Sequence, residues 1–432
     1  MGLRHAIRGF SRELLGVIDQ SLNPRQGLIN SLVEEPLAPG EGSGLVLMHA
    51  LVSPPTYYRG NAPTTLKTTE RGTGAAFSRE SACWAAIGEA LERYAASIYW
   101  DDKIQFATAN ELGNTAINLR RLIHVGRAEV RLFNPGVRRG WVKGRDMVSS
   151  RPVLVPAALT FLGYARRDEE ESIGQNDSTG LACGSSFEGA SLSALCEVIE
   201  RDVFASNWLL SRQAPRLLVT GAIERLDMPV QVALRNRRLN VRLYYLAQAF
   251  GVHVVASVVQ NADGRGVVAA AASPFILRAV EKAVTEGLHS WTSGNRNAGK
   301  RKLNSAADIT STTDHLLYYL EPDRFQIVNR LFSSEETVSL VHLLSAERGH
   351  VTSGDIAAAM GQAGFSPAAV DLTTVDIANL NLHVVRVLAP GLQPLVFGPA
   401  CTLAPDARRL NEWRTQWGVI GHDTNPDPHP FP

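Results

Sequence analysis

Five glutamates and two arginines stand in a pattern that suits a metal-bound phosphate. Residues 81–94 read SACWAAIGEALERY and residues 189–202 read GASLSALCEVIERD. Laid over each other, they share Ala82/Ala190, Ala86/Ala194, Glu89/Glu197, Glu92/Glu200 and Arg93/Arg201 at one constant offset. A third segment, RAVEKAVTEGLHSW at 278–291, keeps Ala279, Ala283 and Glu286 in the same places but lacks the Glu-Arg. Mg2+ takes oxygen ligands and commonly bridges one or two carboxylates to a phosphate. An arginine beside it can grip a phosphate oxygen with its planar fork.

The element that must position these groups is a helix, because positions i, i+3 and i+4 share one helical face. Glu89, Glu92 and Arg93 then point one way, as do Glu197, Glu200 and Arg201. The alanines lie one and two turns earlier on nearly the same side, and small residues there let a neighbouring element or a ligand approach. Trp84, Ile87 and Leu91, or Leu192, Leu195 and Ile199, cover the other faces and suit a core. A single Glu-x-x-Glu-Arg is commonly a solvated face whose i,i+4 ion pair contributes only ~0.3–0.5 kcal/mol. Three related copies with apolar flanks argue instead for a site, since buried acids need cations.

Composition bounds the alternatives. The chain has 432 residues, enough for a large core; hydrophobic content is 45% and charged content 20%, as in ordinary globular proteins. Lys and Arg total 43 against 42 Asp and Glu, a formal +1, so there is no global basic field and nucleic-acid binding is not expected. No run of eighteen apolar residues exists, so no membrane span is expected. The amino-terminal stretch MGLRHAIRGFSRELLGVIDQSL lacks a secretory h-region, and Ala6 departs from the myristoylation pattern; it reads as a short amphipathic helix. Cys83, Cys183, Cys196 and Cys401 form no C-x-x-C pair, and the eleven histidines show no zinc spacing. They read as reduced thiols of a cytoplasmic protein.

Along the chain, an apolar strand is expected at LVLMHALV. Glycine-rich runs, RGTGAAF and DSTGLACGSSFEG, lead into the first two acidic helices, a context that lets phosphate approach. Strands are expected in AEVRLFN, GWVKGRDM and PVLVPAALTFL, and again in VRLYYLA, VHVVASVVQ and GVVAAAAS before the third acidic helix. RRDEEES at 166–172 reads as a solvated loop, and TSGNRNAGKRKLNSAAD at 292–308 as a basic surface loop or a flap over phosphates. SGDIAAAMGQAG suggests a helix, AVDLTTVDI a strand and loop, and LHVVRVLAP a strand. The fold class is α/β (α+β), one interlocked body at 61–432 after an extension at 1–60.

These residues resemble the YcaO family, ATP-dependent enzymes that activate backbone amides of peptides. The resemblance rests on ESACWAAIGEALER, STGLACGSSFEGASLSALCEVIERD, AVEKAVTEGL and DLTTVDIANLNLHVVRVLAPGLQPLVFG, in order, from about residue 60 onward. It implies mixed sheets with packed helices around an ATP cleft, with ATP and Mg2+ as cofactors. Glu89, Glu92, Glu197, Glu200 and Glu286 would hold Mg2+, and Arg93 and Arg201 the phosphates. Many relatives have Asn where this chain has Ser185 or Ser186, and Gln where it has Lys282, so nucleotide contacts at these three positions are expectations.

The closing NPDPHPFP, with Pro428, Pro430 and Pro432, is similar to the tail of family members that make azolines. Proline stiffens it into an extended rod, and the resemblance implies that it inserts near the active site, with Pro432 among the catalytic residues. The implied reaction begins when a Cys, Ser or Thr side chain of a ribosomal precursor peptide attacks the preceding carbonyl. ATP phosphorylates the resulting oxygen, and elimination of phosphate closes a thiazoline or oxazoline. Thioamide or amidine formation and a non-catalytic scaffold role are the alternatives. Only some sixty residues precede the matching body, so separate partners are expected: a leader-binding, E1-like protein and a flavin (FMN) dehydrogenase, in a hetero-oligomer.

Overall fold

The computed structural model describes residues 9–37, 44–52, 71–121, 134–397 and 407–431, except positions 168, 172, 174, 175, 348 and 422. The described strands form three sheets. One is β1 (Ile29–Glu35), β2 (Val46–Val52) and β3 (Arg71–Ala76) in that order, all antiparallel. The second comprises β4 (Gln105–Thr108), β5 (Arg138–Asp146), β6 (Pro152–Pro156), β7 (Leu181–Gly184), β13 (Ala368–Asp371) and β14 (His383–Leu388). Its order is β4-β5-β13-β14-β7, with β6 also paired to β5. The third contains β8 (Arg216–Leu218), β9 (Leu239–Ala249), β10 (Val252–Asn261), β11 (Gly266–Ser273) and β12 (Thr337–Ser339), in the order β11-β10-β9-β8-β12. The described helices of eight or more residues are α1 (Arg12–Ser21), α2 (Arg79–Ala95), α3 (Phe187–Leu209), α4 (Ile276–Asn297), α5 (Thr312–Leu320), α6 (Pro322–Leu331), α7 (Ser353–Gln362) and α8 (Ala407–Trp417).

One strand–helix unit occurs three times: β3–α2, β7–α3 and β11–α4. Each strand lies at the end of its sheet, and each helix carries one copy of the acidic phrase. The packing is cyclic: α2 touches β3 and β7, α3 touches β7 and β11, and α4 touches β11 and β3. The sheets therefore alternate with the acidic helices. In the meander β9–β10–β11 successive side chains face opposite sides. Val254, Ala256 and Val258 join α3 in one core, whereas Val255 and Val259 join α4 in another. The six-stranded sheet divides likewise, with Val370 and Val384 towards α2, and Ala369, Val385 and Val387 towards α3.

The repeated alanines explain the closeness of strand and helix. A side chain at Gly72 would meet the Ala86 carbonyl at 2.2 Å, and one at Gly74 the Ala82 carbonyl at 2.0 Å. The Gly-x-Gly of β3 and the Ala-x3-Ala of α2 are thus two halves of one contact. The helix starts are capped by serine, as their polar preference predicts. Ser78 accepts from Ser81 N and Ser186 from Gly189 N. At α4 the Glu347 carboxylate replaces a cap by accepting from Ile276 N at 2.5 Å.

Several sequence expectations shift. Both glycine-rich runs contain strands, β3 and β7, because glycine here serves close packing rather than flexibility. Residues 292–297 belong to α4, and Arg301 in the following loop is tied to Asp314 at 2.6 Å. In the acidic run, Glu170 is buried and accepts from Tyr164 Oη at 2.8 Å and Gly140 N at 3.3 Å, so that run is anchored rather than wholly solvated. Most of the expected strand AEVRLFN falls outside the described residues. Cys83, Cys183 and Cys196 are free thiols, and Cys401 lies outside the described residues. No described helix is long and apolar enough to cross a membrane.

Candidate active site

The acidic copies bring their carboxyls near one another: Glu92 faces Glu197, and Glu200 faces Glu286. Each of the first two helices offers carboxylates to backbone N–H groups of an edge strand or of the turn before it. Thr73 N donates to Glu89 at 2.5 Å, Cys183 N to Glu92 at 2.7 Å and Gly180 N to Glu197 at 3.1 Å. Gly180 has φ +79°, and a side chain there would strike the Val387 carbonyl at 2.3 Å, so this turn needs glycine. Arg93 bonds Glu89 on its own helix, and Arg201 lies 3.5 Å from Glu197.

These carboxyls lie too close for all to ionise comfortably. Burial holds Glu92 well above the usual carboxylate range; Glu197 and Glu89 add like-charge repulsion that the Cys183 N–H only partly offsets. Burial also raises Glu197, against the pull of Arg201, the Gly180 N–H and Arg386. Glu200 is pushed up to about 8 by burial, with Glu197 and Glu286 opposing its ionisation and Arg201 and Lys282 favouring it. Glu286 differs. Burial pushes it up too, but His289, 3.9 Å away, together with Lys282 and Arg201, brings it below the ordinary value. Glu286 keeps 52% of its side chain accessible while protein surrounds it, which places it on the wall of a recess rather than on a convex surface.

The donors in this recess are equally unbalanced. Arg201 Nε and Nη1 and Arg386 Nε and Nη1 are buried without a hydrogen-bond partner. Arg386, from β14, faces Asp177 and Glu197. Buried N–H groups without acceptors are costly, as are buried acids without cations. A polyphosphate carrying Mg2+ answers both needs, so the residues fit ATP with Mg2+. Among the described residues no three His, Cys, Asp or Glu side chains form a ready metal cage. Mg2+ ordinarily completes its octahedron with waters and phosphate oxygens.

The proline-rich tail brings Phe431 beside Arg201. Pro428, His429, Pro430 and Phe431 are buried. Trp208 Nε1 donates to the Asp427 carbonyl at 2.9 Å, and Tyr319 Oη to that of Pro428 at 2.6 Å. His315 stacks on His429 with centroids 4.2 Å apart. The Arg201 guanidinium lies 4.3 Å from the Phe431 ring centroid. Pro432 falls outside the described residues.

The structure thus gathers Glu89, Glu92, Glu197, Glu200, Glu286, Arg93, Arg201 and Lys282. Ser186 spends its hydroxyl as the α3 cap, and Ser185 precedes it in the same turn. Ser186 lies about 16 Å along the helix from Glu197, from a rise of ~1.5 Å per residue. Sequence reasoning passed over three residues. His289 occupies the place of Glu92 and Glu200 in the third copy, which a closer overlay would have shown. Arg386 is a lone cation inside the apolar strand HVVRVL, itself a usable signal. Asp177 carried none.

Comparison with known proteins gives the family and the fold. A family model described as YcaO cyclodehydratase, ATP- and Mg2+-binding, matches residues 73–393. The chain belongs to the YcaO family. Two uncharacterized proteins of Mycobacterium tuberculosis, from strains CDC 1551 / Oshkosh and ATCC 25618 / H37Rv, are each 30% identical over 139 residues. That stretch is 31% of this chain and 30% of theirs, so the chain matches under a third of the length of these curated relatives. Three solved structures share the fold. A heterocyclase in complex with substrate and cofactor has TM-score 0.72 and 20% identity, over 98% of this chain and 57% of that one. YcaO from Methanopyrus kandleri, bound with AMPPCP and Mg2+, has TM-score 0.61 and 22% identity over 87% and 89%. A chain of the E. coli microcin synthetase McbBCD complex has TM-score 0.57 and 13% identity over 85% and 89%.

Proposed function

We propose that this chain is an ATP- and Mg2+-dependent cyclodehydratase that converts Cys, Ser or Thr residues of a ribosomally made precursor peptide into thiazolines or oxazolines. The observation that carries this reading is the pairing of crowded, cation-seeking carboxyls with the unpartnered buried N–H groups of Arg201 and Arg386. Glu89, Glu92, Glu197, Glu200 and Glu286 would hold Mg2+. Arg201, Arg386 and Lys282 would hold phosphate oxygens, and Arg93 would fix Glu89. Ser185 and Ser186 remain candidate nucleotide contacts by their place before α3. Bound there, ATP supplies the phosphoryl group that lets the amide oxygen leave as phosphate, so that each ring costs the peptide one water. The protein's share is placement, exclusion of water and neutralisation of the phosphates.

The tail, including Pro432, is proposed to shape the peptide side of this recess, since Phe431 packs on the same arginine that faces the phosphates. The fold is shared with the McbBCD complex, which has also been solved with pro-MccB17 bound. This supports a role beside a peptide-binding, E1-like partner, with a flavin dehydrogenase oxidising rings to azoles. Two measurements test the reading. Calorimetry should show ATP binding that depends on Mg2+. Mass spectrometry of a co-expressed precursor should show the loss of one water per ring. Absence of Mg2+-dependent ATP binding overturns it, and exchange of oxygen for sulfur in the peptide would move the product to a thioamide.

A further inference from the structure

A second cavity, of about 900 Å³, opens between the end of α2, the segment 98–105 and the loop after β13. Tyr94, Tyr99, Trp100 and Phe161 form its aromatic wall, and Asp371 and Asp376 face into it. Tyr94 Oη donates to Asp376 at 2.6 Å, which fixes that carboxylate. Neither Asp371 nor Asp376 has an ion-pair partner among the described residues. At the rim, Asp102 and Lys103 lie 3.7 Å apart and cancel, leaving Lys143 against two carboxylates. An aromatic wall with surplus negative charge suits a cation on an aliphatic stem.

Its place relative to the acidic recess follows from the sheet register. Leu372 N donates to the Val384 carbonyl at 2.9 Å. Val384 pairs with Cys183, whose N–H holds Glu92. Two strand spacings of ~4.8 Å separate this cavity's edge from Cys183, about 10 Å.

We infer that this cavity binds an arginine or lysine side chain of the substrate peptide. The inference rests on the cyclodehydratase reading and names a substrate feature that the reading leaves open. The test uses hexapeptides carrying a neutral fluorophore: Gly-Arg-Gly-Gly-Cys-Gly, its reverse order, and counterparts with Ala or Glu in place of Arg. Fluorescence polarisation on the full chain should show one Arg peptide binding about tenfold tighter than its Ala counterpart, and the Glu peptide weakest. Trp100→Ala, at an exposed position, and Asp371→Asn should each remove the preference while Mg2+-dependent ATP affinity stays unchanged. Equal binding of the three peptides overturns the inference, and so does a preference that survives both substitutions. If the preference stands while the chain binds no ATP, the cyclodehydratase reading falls and the cavity's role remains.

Discussion

The first two acidic helices and the third descend from one phrase but face opposite electrostatic problems. On α2 and α3, Glu92, Glu197 and Glu200 are driven towards protonation, chiefly by burial, despite backbone N–H groups and Arg201. On α4 the second acid is replaced by His289, and Glu286 is ionised below its usual range. A recess with one satisfied wall and two cation-seeking walls offers a divalent ion unequal places. The α2 and α3 acids gain most from a bound cation, whereas Glu286 already has a partner.

The largest test of this asymmetry is removal of single acids. Glu92→Ala or Glu197→Ala should lower ATP turnover by about two orders of magnitude or more, as loss of charge stabilisation in a metal–phosphate site does. Glu286→Ala should lower it less and move the His289 titration downwards, since Glu286 holds that ring raised against burial, readable by NMR. Equal losses at Glu197 and Glu286 would erase the asymmetry.

Next in size are the donors. Arg201→Met and Arg386→Met should each weaken nucleotide binding by about tenfold to a hundredfold, since a hydrogen bond to a charged group contributes ~1.5–3 kcal/mol. Calorimetry with ATP and Mg2+ measures this. Wild-type affinity in the Arg386 variant would remove β14 from the site.

A smaller effect is expected from the tail. Phe431→Ala takes away the ring that packs on Arg201 and Phe204. Peptide cyclisation should fall several-fold, as expected for loss of one cation–π contact of ~0.5–1 kcal/mol, while nucleotide affinity stays within about twofold. If nucleotide affinity falls as far as cyclisation, the tail serves the phosphates rather than the peptide.

A separate test reads stability rather than activity. Glu200 has its folded value raised from an ordinary 4.5 to about 8. A raised acid contributes stability below its unfolded value and loses it as pH rises through the folded one. Metal-free protein should therefore lose stability between about pH 5 and 8, and Mg2+ with nucleotide should flatten that slope. Denaturant melts at several pH values check this, and Glu200→Gln should flatten the slope without ligand.

Much of the site was legible because helical periodicity is local. The spacing of Glu89, Glu92 and Arg93, and its repeat at Glu197, Glu200 and Arg201, fixes a shared face whatever the fold. The strands β9, β10 and β11 were readable for the same reason. Arg386 shows where that reading stopped: a cation in an apolar strand declares itself unusual but not whom it faces. His289 declares its place in the repeat, but its pairing with Glu286 emerges from the folded charges.

The amino-acid sequence by itself determined the three acidic phrases, the helices that carry them and the stiffness of the tail, because each depends on residues within a few turns. Only the tertiary structure decided that β3, β7 and β11 are edge strands, that each helix packs on the next unit's strand, and that Phe431 reaches Arg201. These contacts join segments far apart in the chain. Sheet edges, burial and the mutual repulsion of carboxyls exist only once distant segments share one low-dielectric space.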